Sequence, residues 1–258
     1  MKKKILSFSL WGNIRLYCIG AIKNAILAKK YFPGWICRFY YDKSVPECIL
    51  DYLHSCDNTE LVLIDIQSGG KVYKDNGQYG MLWRYYPFND DDVEIWAARD
   101  IDSRISPYEK QVLDTFLQSN NVIHGIRDEG EPFARGGTLS FKNFNHGKDT
   151  RFVIEKNGNT KKLDILELTS YIDKKNAPFY TDEKFLINVL FPYYKNSYSW
   201  DQRKPNIEHP SFLGPYVCAV VDEYDKEINK NNDNKFNYKT NYDDLYELTE
   251  NFKILIDN

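Results

Sequence analysis

Hydrophobic positions along the first half of the chain alternate between two periods. Residues 4–10 (KILSFSL) are a short apolar run with a basic lead-in, which predicts a strand. Gly12-Asn13 predicts a turn. Ile19, Ile22, Ala25, Ile26 and Leu27 fall at helical spacing within 16–31, and Pro33-Gly34 ends that helix. Residues 35–41 (WICRFYY) are aromatic and β-branched, hence a second strand. Ser44 is the expected N-cap of a second helix that carries Ile49, Leu50 and Leu53 on one face. Residues 60–66 (ELVLIDI) predict a third strand. Strands that alternate with helices in this way predict a parallel sheet with crossover helices.

Beyond this unit, residues 67–80 are Gly-rich and polar and predict a loop, with a short helix at 81–88 and a polar turn at Asn89–Asp92. A fourth strand, 93–99, runs straight into Asp100-Ile-Asp-Ser-Arg104. Residues 107–119 predict a helix with Pro107 in its first turn, and 121–127 another strand. Gly136-Gly137 marks a tight backbone passage, and 180–191 predicts a helix. Residues 226–241 are rich in Asn, Lys and Asp and read as a loop or linker before a terminal helix at 243–256.

Composition narrows the class. Of 258 residues, 42% are hydrophobic and 16% aromatic, enough for a sizeable core and incompatible with wholesale disorder. The net charge of −3 argues against nucleic acid as a partner. Its distribution is uneven: residues 1–41 hold eight basic side chains and no acid, whereas 222–258 hold ten acids against five bases. The N-terminal part is therefore the better place for a small anion such as a phosphate. Cys18, Cys37, Cys48, Cys56 and Cys218 are odd in number and widely spaced, with no C-x-x-C. That spacing disfavours structural zinc and a disulfide framework, and predicts free buried thiols in a reducing compartment. The first ten residues imitate a secretory leader, but Trp11-Gly-Asn and Arg15 interrupt it. No stretch approaches 18 uncharged apolar residues, so no membrane span is expected. The expected location is the cytoplasm.

The sharpest chemical feature is Arg99-Asp-Ile-Asp-Ser-Arg104, two carboxylates two residues apart just past a strand end. In open parallel sheets, ligands bind beyond the carboxyl ends of the strands. Paired carboxylates suit Mg²⁺ or Mn²⁺, and flanking arginines can take phosphate oxygens. A second D-x-D, Asp90 to Asp92, is explained by turn chemistry. The competing explanation for Asp100 and Asp102 is a capping and ion-pair cluster that opens the helix at 107–119.

Met81-Leu-Trp-Arg84, Pro87, Arg99-Asp-Ile-Asp-Ser-Arg104, Glu109 and Val112 together resemble a nucleotide-sugar glycosyltransferase family of the GT-A superfamily, found in bacteria and in large DNA viruses. The resemblance extends to Phe8-Ser-Leu-Trp-Gly12 with Tyr17, Gly20 and Asn24. It also covers His124-Gly-Ile-Arg-Asp128 before Gly136-Gly137, Tyr180-Thr-Asp-Glu-Lys-Phe-Leu186, and Phe212-Leu-Gly214. It spans about 4–222. Departures from the family pattern include Tyr108-Glu109 for Arg-Glu, Glu183 where Gln is usual, and Thr138-Leu139 after the paired glycines.

The resemblance implies an α/β, Rossmann-like GT-A domain with a mixed, mainly parallel sheet. Residues 1–127 would form the nucleotide-binding half and 128–222 the acceptor half, with 223–258 as a linker and C-terminal helix. It implies a nucleoside-diphosphate sugar donor of the UDP or GDP class, a divalent cation, and a glycan or glycoprotein acceptor. Ser9, Leu10 and Trp11 would border the nucleotide, and Asp42 would accept from base or ribose. Arg84 and Arg99 would approach the diphosphate. Asp100 and Asp102 would flank or bind the metal, with Asp102 the direct ligand. An inverting transfer needs a base, for which Asp182 and then Asp128 are the candidates, with Glu183 behind them. The alternatives are a non-catalytic nucleotide-sugar or glycan-binding module and a sugar nucleotidyltransferase. The latter usually has a Gly-rich, basic motif that 8–16 lack.

Overall fold

The computed structural model describes residues 2–64, 77–127, 135–170, 172 and 180–202. The elements in chain order begin with β1 (Lys3–Leu10), α1 (Arg15–Tyr31), β2 (Ile36–Tyr41), α2 (Glu47–Ser55) and β3 (Thr59–Leu63). A 3₁₀ segment, Gly77–Asn89, leads into β4 (Val93–Ala98), α3 (Pro107–Gln118) and β5 (Ile123–Arg127). After a short 3₁₀ turn at Gly136–Thr138 come β6 (Leu139–Lys142) and two small hairpins, β7 (Phe144–Asn145) with β8 (Lys148–Asp149) and β9 (Phe152–Ile154) with β10 (Thr160–Lys162). The remainder is α4 (Ile165–Thr169), α5 (Thr181–Phe185), a π turn at Leu186–Leu190, α6 (Phe191–Tyr194) and β11 (Tyr198–Gln202).

Seven strands form the main sheet in the order β11-β5-β6-β4-β1-β2-β3. β3, β2, β1 and β4 run parallel, and β6 lies antiparallel between β4 and β5. Two reversals restore direction, so β5 ends at the same edge as β1, β2 and β4. The start of β6, with Gly136–Thr138 before it, lies at that edge too.

Strand alternation sorts the side chains to two faces. Leu6, Phe8, Leu10, Cys37, Phe39, Ile95 and Ala97 pack under α1, α2 and α3. Ile5, Trp96, Ala98 and Phe141 face the 3₁₀ segment and the α5–α6 region. Both faces are covered, which is why these strands read as near-continuous apolar runs. Phe8 stacks on Phe39 across β1 and β2, ring centroids 4.9 Å apart. Cys18, Cys37 and Cys48 are buried free thiols and Cys56 is half-buried. His54 is exposed, and His124 is buried in β5 with its ring 5.3 Å from Phe116.

Three local expectations change. Ser44 is not the cap of α2: Pro46 holds that position without a side-chain hydrogen bond. The Ser44 hydroxyl instead donates to Asp42 and accepts the Gly12 N–H at 2.6 Å. Residues 77–80 belong to the 3₁₀ segment rather than to a loop. The helix expected at 180–191 is broken by a π turn, because Pro192 follows. Residues 226–241 and 243–256 lie outside the described residues, as does Cys218. No helix among the described residues is long and apolar enough to cross a membrane.

Candidate functional site

The site forms where the parallel strands end. β4 delivers Arg99 and then the turn that carries Asp100 and Asp102. The Ser103 hydroxyl donates back to the Asp100 carbonyl at 2.9 Å and closes that turn. Helix α3 begins only at Pro107, and its cap is Ser106, whose hydroxyl accepts the Glu109 N–H at 3.2 Å. Asp100 and Asp102 therefore do not cap the helix, whereas the ion-pair half of the competing explanation holds for Asp100, which pairs with Arg84. Asp90 and Asp92 do make a turn, with the Asp90 carboxylate accepting the Asp92 N–H at 2.8 Å.

Helix α1 holds the acidic loop. Asn24 is fully buried; its amide donates to the carbonyls of Ile101 (3.2 Å) and Ser103 (2.8 Å), and its oxygen accepts the Ile105 N–H at 3.1 Å. One turn earlier, Gly20 lets the Ile101 carbonyl lie against the helix; a methyl group there would overlap that oxygen.

Arg84, on the 3₁₀ segment, is the centre of the cluster. Its guanidinium pairs through Nη1 with Asp100 and through Nη2 with Asp182. Arg84 and Asp182 side chains are each 6% exposed, while Asp100 is 35% exposed. Burial alone would lower the Arg84 pKa. Asp100, then Tyr85 and Asp182, outweigh it and hold the guanidinium firmly protonated. The Arg84 backbone N–H donates to the Ser9 hydroxyl at 3.1 Å, which joins the cluster to the end of β1.

Gly136 and Gly137 lie against the two carboxylates. A Cβ at Gly137 would collide with the Asp100 carboxyl group, and one at Gly136 with Asp182 and Arg84. Tyr85 donates from its hydroxyl to the Gly136 carbonyl at 3.0 Å. The paired glycines thus allow the β5–β6 connection to approach the acids.

Arg99 has a different place from the expected diphosphate contact. It is 2% exposed and faces inward, ion-paired with the equally buried Glu109 at 2.7 Å. Its Nη1 donates to the Gly137 carbonyl at 3.3 Å. Burial pushes the Glu109 carboxyl upward against the pull of Arg99. Arg99 supports the floor of the site. Arg104 is also buried and points at the carbonyls of its own loop.

At the mouth of β1, Leu10 is buried, Ser9 nearly so, and Trp11 half-buried. Trp11 meets Trp83 edge-on, centroids 5.7 Å apart, and packs so tightly on Gly80 that a Cβ there would lie 2.9 Å from its ring. Asp42, half-buried past the end of β2, accepts the Ser44 N–H at 3.0 Å. Through Ser44 it reaches the turn at Gly12, where φ is +73°.

Asp182 and Glu183 open α5. The residue before the helix, Tyr180, has φ +66°, a left-handed conformation unusual for a tyrosine, and makes no side-chain cap. Asp182 does not cap the helix, since its carboxylate is on Arg84. Glu183 is half-buried and lies 3.6 Å from Arg135. Asp128 lies outside the described residues.

The structure therefore brings together Ser9, Arg84, Asp100 and Asp182. Asn24, Gly20 and Glu109, which the resemblance marked without a role, gain structural ones.

Among the described residues, no group of three or more His, Cys, Asp or Glu side chains is placed to hold a metal ion. The turn does carry two carboxylates, Asp100 and Asp102, oxygen donors of the type that hard divalent cations take. Such ions are commonly held by one or two carboxylates, with substrate phosphates and water completing the shell.

No protein-family model matches the chain, and no curated protein matches it. Solved structures do. An active-site mutant of LgtC is similar over 96% of this chain and 95% of its own, at 14% identity and a TM-score of 0.50. The galactosyltransferase LgtC with donor and acceptor sugar analogs is similar over 76% and 72% of the two chains, at 16% identity and TM-score 0.47. TarS of S. aureus, residues 1–349, in complex with UDP-GlcNAc, is similar over 82% of this chain at 14% identity and TM-score 0.43, and this chain spans only 61% of it. The seven-stranded, mostly parallel sheet with flanking helices is a GT-A-like fold, shared with the LgtC mutant.

Proposed function

We propose that this chain is a glycosyltransferase that moves a sugar from a nucleoside-diphosphate donor, of the UDP- or GDP-sugar class, to a hydroxyl of a glycan or glycoprotein. The observation that carries this reading is the Arg84 guanidinium shared by Asp100 and Asp182 at the carboxyl edge of the sheet. Asp100, 35% exposed and held by Arg84, offers hydrogen-bond acceptors to a ligand dense in hydroxyl groups, which is the chemistry of a sugar. The GT-A-like fold supports the same reading.

In this reading Trp11, Ser9 and Asp42 border the nucleoside. Arg84, anchored by the buried Asp182, orients Asp100 toward the sugar, and Arg99 fixes the floor through Glu109 and Gly137. A Mn²⁺ or Mg²⁺ ion would be held by Asp102 with Asp100. When bound, it supplies charge neutralisation for the departing diphosphate. Neither nucleic acid nor a membrane is needed as a partner.

The test is a thermal-shift panel of UDP, GDP, UDP-glucose, UDP-galactose, UDP-N-acetylglucosamine and GDP-mannose, with and without Mn²⁺. A ligand that binds only the folded chain raises its melting temperature by mass action. One nucleotide class should shift the wild type in the presence of Mn²⁺ and leave Asp102→Ala unshifted. No shift with any nucleotide would remove the donor site.

A further inference from the structure

We propose that Glu183, rather than Asp182, is the general base that takes the proton of the attacking hydroxyl. The proposal rests on the glycosyltransferase reading above and specifies one residue within it.

Two neighbouring carboxylates at the start of α5 have opposite fates. Asp182 is 6% exposed and committed to Arg84. A base must reach its proton by a hydrogen bond, and this carboxylate has little surface left to meet an acceptor. The Glu183 side chain is 24% exposed. It is placed rather than loose: the Arg135 guanidinium stands 3.6 Å from its carboxylate.

The elements packed around Glu183 bring Arg135 from the β5–β6 connection, Asp100 from the end of β4, and Asp182 from its own helix. Burial, then the charge of Asp182, raises its pKa above the usual carboxylate range; Arg135 opposes the rise. A base works best when its pKa approaches the working pH, so this environment suits the task better than a fully solvated carboxylate would. Backbone strain at Tyr180, φ +66°, is located at the residue that launches Asp182 and Glu183 into the site. Strain of this kind persists where the surrounding structure over-determines it, often at functional sites.

The step balances as follows. The acceptor oxygen forms its bond to the anomeric carbon while its proton passes to the Glu183 carboxylate. The bond from that carbon to the diphosphate oxygen breaks, and the electron pair leaves with the nucleoside diphosphate.

The experiment uses the full chain, Mn²⁺ and the nucleotide sugar that gives the largest thermal shift in the panel above. Release of nucleoside diphosphate, with water as acceptor, is followed from pH 5 to 9 at saturating donor. Glu183→Gln should keep the donor-induced shift and lower kcat by about 10²- to 10⁴-fold, the usual contribution of a general base. The acid limb of the wild-type profile should vanish with it. Glu183→Asp, which keeps the carboxylate, should retain that limb at reduced kcat and serves if the Gln variant does not fold. Undiminished kcat in Glu183→Gln would overturn the assignment. So would a covalent glycosyl adduct on Glu183 by mass spectrometry, or a donor-bound wild type no faster than the variant. Loss of donor binding in the wild type itself would instead remove the underlying glycosyltransferase reading.

Discussion

Arg84 and Asp182 stand 98 positions apart in the chain and form an ion pair almost sealed from solvent. Removing one member of such a pair strands the other charge in a poorly solvated place, at a cost of about 3–5 kcal/mol. Arg84→Ala should therefore lose about that much in urea denaturation. Because both residues share one network, Arg84→Ala/Asp182→Ala should lose less than the sum of the single changes. Strictly additive losses would mean that the pair is not coupled.

Asn24 makes a different kind of prediction, because it never reaches the mouth of the site. Its three hydrogen bonds fix residues 101–105 from behind. Asn24→Ala leaves the Ile105 N–H without its partner and the Ile101 and Ser103 carbonyls with only the long contacts of Arg104, at a cost of about 1–3 kcal/mol. The loop carrying Asp102 should lose its fixed shape as well. In the thermal-shift panel, the Mn²⁺-dependent increment should shrink, over and above the lower starting melting temperature. An unchanged increment would show that the loop holds itself.

Gly137 tests the close approach directly. A methyl group there collides with the carboxyl end of the Asp100 side chain, which Arg84 holds in place. Gly137→Ala should displace either Asp100 or the β5–β6 connection, with an overpacking cost of about 1–3 kcal/mol. Donor binding should fall more than stability does, since Asp100 is the group displaced. A variant that binds donor like the wild type would mean that Asp100 has room to turn without consequence.

These relationships also show how far the amino-acid order could be read. Period and punctuation were enough for β1, α1, β2, α2 and β4, since each buries a regular stripe or a continuous run. The Asp100–Asp102 pair was legible because it follows a strand end. The partners of the arginines were not. Arg84 and Arg99 look alike as flanking cations, yet one joins Asp100 to Asp182 and the other turns inward to Glu109. Which way a side chain points after a strand depends on distant packing, here on α3 and on the Gly136-Gly137 passage. Ser44 misled for a related reason. Its hydroxyl accepts the Gly12 N–H and donates to Asp42, while Pro46 holds the cap position of α2. The break in the helix after Phe185 was marked only by Pro192.

Glu183 also predicts how stability depends on pH. Its carboxyl is raised above the ordinary value by burial first and by Asp182 second. Arg135 lies 3.6 Å away with a side chain 38% exposed, so solvent screens its compensating pull. For a group whose folded pKa is raised, the stabilising contribution is complete below the unfolded value, about 4.3 for Glu, and is lost as pH rises through the folded value. Ionised Glu183 therefore costs stability at neutral and alkaline pH, and an uncharged isostere does not incur that cost. Melting temperatures of wild type and Glu183→Gln should nearly coincide at pH 4 and separate as pH rises, with the variant higher at pH 8. A gap between the two curves that stays constant across this range would mean that Glu183 titrates alike in the folded and unfolded chain. The crowded acidic environment assigned to it would then be wrong.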